Sequence, residues 1–301
     1  MSYLKNQTIA SAPALFVICR YLAHHPVGVT MDRLHKALAP AAVVAEGGRA
    51  GRTADVPPVL PHSLALGVDI GILHVEGARD QRVWTLRKEY VKLVRETPSA
   101  DSRAFRSLLL RRFGARALQS VEDGENPPDV PFALTWLLTL DPLQPMSLVW
   151  DQGPREAFEH ASMRWAVDNP EQWRPFLRWA RALRLVNLTT SGSKARVSVD
   201  PTRAIEDVLD QLPQHASAPE WFDRLYTVLP VLGDPRLVNA LPTRLSIPPG
   251  PSAAAALALS KLEHTRRVRL VAADDAADAV VLRLGGQMRR VARIDVVEEN
   301  A

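Results

Sequence analysis

The chain has 301 residues, enough for two or three domains, and 47% of them are hydrophobic while 23% are charged. This composition excludes a mainly disordered protein, and the lack of any apolar run of about 18 residues excludes an integral membrane protein. The net charge of +4 is too small to indicate a nucleic-acid partner by itself, so such a partner has to be argued from local clusters of charge.

Cysteine usage and the first residues of the chain bear on its compartment. The sequence contains one cysteine, Cys19, which excludes an intrachain disulfide and a thiolate metal cluster. Residues 1–7 lack a basic region followed by an apolar stretch, so no signal peptide is predicted. These features predict a cytoplasmic protein.

Residues 1–95 predict a first domain. Apolar residues at helical spacing predict helices over residues 12–24, 31–38 and 59–67. A hairpin over residues 72–86 follows the third helix, with its turn around Gly77.

Residues 96–213 repeat this order after a helical bridge, in which one amphipathic helix is predicted to end before Gly114. The spacing then predicts helices over 130–140, 155–167 and 170–184, a hairpin over 185–199 and a closing helix over 201–212. Asn169 and Pro170 are suited to the N-cap and the first position of the third helix.

Residues 214–301 form a weaker third copy. Helices are predicted over 220–232, 235–241 and 252–264, and alternation predicts that residues 267–272 and 279–284 pair as two strands. Three helices followed by a hairpin is typical of a winged helix. The predicted fold is therefore mainly α with small β-hairpins, built from tandem winged-helix units at 1–95, 96–213 and 214–301.

The second unit carries the strongest sign of a binding chemistry. From Gln172 to Val199 the sequence has six cations and no acid: Arg174, Arg178, Arg181, Arg184, Lys194 and Arg196. The first three fall at i, i+4 and i+7, opposite an apolar face that includes Trp173, Phe176 and Trp179. A winged helix presents its third helix to the major groove, so these six residues are the predicted contacts with double-stranded DNA. A solvated charged face is the alternative.

The other two units are weaker candidates for DNA contact. The third predicted helix of the first unit has no Arg or Lys, which favours contact with proteins there, although Arg49, Arg52, Arg79 and Arg82 lie in its loop and wing. In the third unit, acids such as Glu263 offset much of the charge of its arginines.

No catalytic arrangement is found in the sequence, so the chain is not expected to be an enzyme. His24 and His25 point about 100° apart on a helix and cannot chelate one ion. No metal ligand and no cofactor are predicted, and Cys19 is predicted to pack in the core.

Four segments resemble the DpdG-like proteins. They are Arg20-Tyr21-Leu22-Ala23-His24-His25, the second helix led by Thr30, Gly71-Ile72-Leu73-His74-Val75, and the stretch from Leu282 to Ile294. DpdG-like proteins accompany bacterial gene clusters that insert 7-deazaguanine bases into DNA and restrict unmodified DNA. The resemblance implies an accessory component that works beside helicase or nuclease partners, and it assigns neither an activity nor functional residues.

The sequence thus predicts a non-catalytic component of a DNA-modification or defence system that binds DNA and other proteins. Two alternatives remain open. One is an adapter whose winged helices bind only proteins, and the other is a transcription regulator. The oligomeric state is not predicted.

Overall fold

The protein is mainly α-helical with small antiparallel sheets, as the sequence predicts. The computed structural model describes residues 2–6, 9–38, 59–78, 81–191, 194–242, 250–272 and 278–297. The predicted loop with Arg49 and Arg52, and Arg79 of the first hairpin, lie outside these residues. The chain forms two compact units, one of residues 5–106 and one of residues 1–4 with 107–301. The predicted domain boundaries after residues 95 and 213 stay predictions.

The unit of residues 5–106 contains a three-stranded sheet and its flanking helices. Its elements are α2 (Ala12–Ala23), β1 (Val29–Thr30), α3 (Met31–Leu38), α4 (Val59–Asp69), β2 (Leu73–Glu76), β3 (Val83–Leu86) and α5 (Lys88–Glu96); α1 (Tyr3–Asn6) precedes them. The strand order is β1-β3-β2, so the returning strand of the hairpin lies in the centre. Ser11 caps α2 by accepting a hydrogen bond from the amide of Ala14.

The bridging helix α6 (Arg103–Glu122) does not end before Gly114, contrary to the prediction. A Cβ atom at Gly114 would lie 2.7 Å from Cδ of Pro230. This glycine therefore serves the close approach of the Pro230 ring rather than the end of the helix.

A second group of elements follows in residues 129–199. It consists of α7 (Asp129–Leu137), β4 (Met146–Ser147), α8 (Pro154–His160), α9 (Pro170–Ala182), β5 (Val186–Ser191) and β6 (Lys194–Val199), with strand order β4-β6-β5. The helix predicted over 155–167 ends at His160, because Ser162 adopts a left-handed φ of 55° that an α-helix does not accept.

A third group follows in residues 202–296. It consists of α10 (Thr202–Glu206), β7 (His215–Ser217), α11 (Ala218–Val228), α12 (Pro235–Asn239), α13 (Ala253–His264), β8 (Val268–Val271), β9 (Val280–Leu284), β10 (Gln287–Val291) and β11 (Arg293–Val296). Short 3-10 turns at Leu209–Gln211 and Pro230–Leu232 replace the ends of two longer predicted helices.

The predicted pairing of 267–272 with 279–284 is wrong. Strand β9 pairs with β10 across Gly285 and Gly286, both of which have the positive φ that a two-residue hairpin turn requires. Strand β8 pairs instead with the last strand, β11, where Leu270 faces Ile294. The resulting sheet has the order β7-β11-β8, with the β9–β10 hairpin inserted between two of its strands.

The three sheets share one arrangement. In each, a short strand precedes the last helices of the group, and the final strand of the group lies between that first strand and the strand that follows the last helix. Their interpretation as winged-helix units stays a prediction.

Asp129 ties the start of the chain to the start of α7. The residue is 2% exposed. Its carboxylate accepts hydrogen bonds from the amides of Tyr3 and Leu4, both at 2.8 Å, and from the Ser2 hydroxyl at 2.7 Å. The ring of Tyr3 then packs edge-on against Phe113 of α6. One buried side chain therefore satisfies two main-chain donors that lie about 125 residues away in sequence.

Replacing Asp129 by Ala is expected to lower the free energy of unfolding by about 3 kcal/mol, because it leaves two buried amides without an acceptor. Urea unfolding followed by circular dichroism measures this loss. The matched control is Asp123→Ala, which removes an exposed carboxylate from the end of the same bridge and is expected to change stability by less than about 0.5 kcal/mol. Equal effects of the two changes would contradict the anchoring role.

Candidate nucleic-acid interface

Helix α9 begins as the sequence predicts. The side chain of Asn169 accepts a hydrogen bond from the amide of Gln172 at 3.0 Å, and Pro170 takes the first helical position. The helix ends at Ala182, two residues earlier than predicted.

Aromatic packing fixes which side of α9 faces the core. Trp173, Phe176 and Trp179 are buried. The rings of Trp173 and Phe176 lie 5.9 and 6.0 Å from that of Phe158 in α8. Trp173 also donates from Nε1 to the carbonyl of Leu148 at 2.9 Å, so the rotation of the helix about its axis is set by packing and by a directional hydrogen bond.

The opposite side of α9 carries three exposed arginines, Arg174, Arg178 and Arg181. Their spacing places them on one stripe of the helix, which we call the arginine stripe. In the described part of the chain, no carboxylate forms an ion pair with Arg174 or Arg181. The stripe can therefore offer guanidinium groups to a polyanion.

One acid belongs to the same stripe. Glu171 is exposed and precedes Arg174 by three residues and Arg178 by seven, which places it at the N-terminal end of the row. It lies one residue outside the interval from Gln172 to Val199 that contains no acid. Helical spacing applied from Pro170 onwards would have identified it.

Arg184 is placed differently from the three arginines of the stripe. It follows the end of α9 with a left-handed φ of 58°, and its Nη1 lies 3.6 Å from Oδ1 of the buried Asp207. The side chain of Arg184 is 32% exposed. Its charge is therefore balanced in part by a carboxylate that folding brings from beyond the hairpin.

The hairpin residues Lys194 and Arg196 belong to β6, the central strand of the sheet. Arg196 is exposed and pairs in register with Ser147 on one side and Thr189 on the other, so hydroxyl groups flank it on the same face. Its Nη1 donates to the carbonyl of Pro145 at 3.2 Å. The side chain of Lys194 and the turn residues Gly192 and Ser193 lie outside the described residues.

The corresponding helices of the other two groups differ from α9. Helix α4 contains no Arg or Lys. The cations near α13 face acids: Lys261 pairs with Asp200 at 2.7 Å, Arg267 with Glu206 at 3.7 Å, and Arg289 with Glu263. Among these three helices, α9 is the one with a row of three exposed arginines.

Cys19 and His25, which the sequence analysis considered for chemistry, have defined surroundings in the structure. Cys19 is fully buried, and burial raises the pKa of its thiol far above the usual range, so the thiolate nucleophile is disfavoured. The Nδ1 atom of His25 lies 2.7 Å from the carbonyl of Tyr21, at the end of α2. Among the described residues, no group of three or more His, Cys, Asp or Glu side chains could hold a metal ion, and no helix is long and apolar enough to cross a membrane.

Asp200 links the second group to the third. Its carboxylate accepts hydrogen bonds from Nζ of Lys261 in α13, from the Asn187 amide in β5 and from Thr202 at the start of α10. Burial opposes its ionisation, but the hydrogen bonds from Lys261 and Thr202 outweigh burial and hold the pKa of Asp200 below its usual range. This carboxylate therefore connects the end of the hairpin that carries Arg196 to α10 and α13 through hydrogen bonds.

Replacing Asp200 by Asn is expected to lower the free energy of unfolding by about 1–2 kcal/mol at pH 7, because the charge that pairs with Lys261 is lost. A native pKa below the unfolded value stabilises the protein above the unfolded pKa of about 3.9, and this contribution is lost as the pH falls through the native pKa. The difference between the two proteins should therefore narrow below about pH 4. Urea unfolding at pH 7 and pH 3 measures it, with the exposed Asp210→Asn as control, and a difference that grows in acid would contradict the assignment.

The model of the DpdG-like family matches residues 1–276 of the chain. No curated protein and no solved structure matches the chain.

Proposed function

The chain belongs to the DpdG-like family, which points to a role in the Dpd DNA-modification system, and from this premise we propose that it is a non-catalytic component that binds double-stranded DNA. The observation that carries the proposal is the arginine stripe of Arg174, Arg178 and Arg181 on the exposed side of α9. Lys194 and Arg196 of the following hairpin are proposed to extend the same contact, and Arg184 to join it from its pair with Asp207.

The strand order supports a winged-helix interpretation of all three groups. In a winged helix, a short strand lies between the first two helices, the third helix precedes a hairpin, and the last strand is central. The groups of residues 12–86 and 129–199 follow this order, and the group of residues 202–296 has the same strand order with one additional helix and the inserted β9–β10 hairpin. In helix-turn-helix variants the third helix enters the major groove, and α9 occupies that position in the second group.

The energetics of DNA binding favour α9 over its two counterparts. Each phosphate neutralised by a cation releases condensed counterions, so affinity depends on cations that are available to DNA. Helix α4 offers none, and Lys261 of α13 is already paired with Asp200. In the arginine stripe, Arg174 and Arg181 form no ion pair with a carboxylate in the described part of the chain. These two arginines can therefore neutralise phosphates without first breaking such a pair.

The group of residues 12–86 is proposed to contact proteins of the same system. Its helix α4 lacks Arg and Lys, and two valines of this group are exposed, Val17 at 52% and Val27 at 92%. Exposed apolar side chains of this kind are suited to a protein partner, for which a helicase or a nuclease is the proposed class. An adapter that binds only proteins would keep this contact and show no DNA binding.

The triple variant Arg174→Ala, Arg178→Ala and Arg181→Ala tests the proposal. We expect weaker binding to duplex DNA and a salt dependence that is less steep by up to about 3 in the slope of log K against log[salt], because up to three phosphate contacts are lost. Fluorescence anisotropy with a labelled duplex at several salt concentrations measures both quantities.

The matched control removes the same net charge elsewhere. Arg155 and Arg164 face Asp151 and Asp168, and Arg224 donates to the carbonyl of Gln211, so the triple alanine variant at these positions should leave the slope almost unchanged. An equal slope for the wild type and both triple variants would overturn the DNA proposal and favour the adapter. Protection of a single operator sequence in a footprint would favour a transcription regulator.

Glu171→Gln makes the opposite prediction. Glu171 shares the stripe with the three arginines and repels an approaching phosphate, so its neutralisation should tighten DNA binding at low salt about two- to fivefold, equivalent to about 0.5–1 kcal/mol. The gain should shrink at high salt because exposed charges are screened. Anisotropy titrations at two salt concentrations measure it, and weaker binding by this variant would contradict the location of the interface.

A further inference from the structure

The β9–β10 hairpin is an exposed ribbon with two different faces. Five residue pairs join Val280–Leu284 to Gln287–Val291, and Gly285 and Gly286 form the turn with φ values of 56° and 79°. Leu282 and Val291 are buried on the inner face. The hairpin is thus held to the protein by its inner face.

The inner face also has a polar attachment. Arg289, which lies opposite Leu282, donates to the carboxylate of Glu263 in α13 and, at 3.0 Å, to the carbonyl of Leu270 in β8. The hydrogen bonds with Arg289 hold the pKa of Glu263 below its usual range. Because Arg289 is engaged in this way, the orientation of the ribbon on the third group is fixed.

The outer face combines cations with an exposed apolar side chain. In register, Met288 faces Arg283 and Arg290 faces Val281, and strand alternation places these four side chains on the same side. Met288 is 74% exposed and Arg290 is exposed, while Val281 and Arg283 are half-buried.

The turn of this hairpin lies beside the sheet that carries Arg196. A Cβ atom at Gly285 would be 2.9 Å from Cδ1 of Leu143, and the carbonyl of Pro145, two residues further along the chain, accepts the hydrogen bond from Arg196. Two residues of extended chain span at most about 7 Å. The turn of the ribbon therefore contacts the loop of the second group that precedes β4.

We propose that the outer face of the β9–β10 hairpin is a second contact with the same DNA duplex, in which Arg283 and Arg290 bind backbone phosphates and Met288 packs against the sugars of the groove. The inference rests on the proposed function of α9 and adds the third group to the interface. Guanidinium groups form strong hydrogen bonds to phosphates, and apolar side chains beside arginines are the chemistry by which protein segments bind the minor groove. DNA would also cover Met288, whose exposure is otherwise unfavourable.

The first experiment measures the salt dependence of duplex binding for Arg283→Ala combined with Arg290→Ala. We expect the slope of log K against log[salt] to decrease by up to about 2. Arg155→Ala combined with Arg164→Ala removes the same net charge and should leave the slope unchanged. Arg283→Lys combined with Arg290→Lys keeps both cations, so it should restore most of the slope and thereby separate loss of charge from a disturbed hairpin.

The second experiment introduces one accessible cysteine on the outer face of the hairpin. Because Cys19 is buried, Met288→Cys places one accessible thiol on the outer face, to which a photoactivated crosslinker can be attached. Irradiation with a 30-base-pair duplex (about 100 Å of DNA) should give a protein–DNA crosslink. The control is Val27→Cys, which is at least as exposed but lies in the group proposed to contact proteins.

The outcomes distinguish this inference from the proposed function. If the hairpin variants bind like the charge-matched control and Met288→Cys gives no more crosslink than Val27→Cys, while the triple α9 variant still weakens binding, the hairpin contact is overturned and the function of α9 stands. If the triple α9 variant also binds DNA like the wild type, the proposed function fails first and this inference fails with it.

Discussion

The packing of α9 against the aromatic core is the constraint on which the proposed interface depends. Trp173, Phe176 and Trp179 fill the core on one side of the helix, and the bond from Trp173 to the Leu148 carbonyl fixes its rotation. Because the helix is held in this way, Arg174, Arg178 and Arg181 lie on its exposed side. The apolar side of the helix thus positions the charged side, although no aromatic ring takes part in the proposed binding.

Local charge balance distinguishes the three groups, although their strand orders agree. The same architectural position has no Arg or Lys in α4, carries three exposed arginines in α9, and has a lysine paired with an acid in α13. A repeated architecture therefore gives no single role to its copies, because binding depends on the side chains that each copy presents. The division proposed here assigns proteins to the first group and DNA to the second, and adds the hairpin of the third group to the DNA contact.

Much of the local structure could be predicted because its causes are local. The N-caps Asn169 and Ser252 and the apolar spacing of α2 and α9 depend on residues within one or two helical turns. Two predictions were wrong where a residue distant in sequence decides the structure. Gly114 was expected to end a helix, but the Pro230 ring occupies the space of its side chain, and β8 was expected to pair with β9 rather than with β11.

The sequence by itself determined that α9 has a stripe of three arginines opposite an aromatic face, since helical periodicity relates residues only a few positions apart. Only the tertiary structure decided which acids pair with the other cations and which distant segments come into contact. Asp207 reaches Arg184, Asp200 reaches Lys261, and the hairpin turn at Gly285 comes beside Leu143. The physical reason is that electrostatic and packing energies depend on the distance between groups in space. Folding sets that distance, and the separation of two residues in the sequence does not.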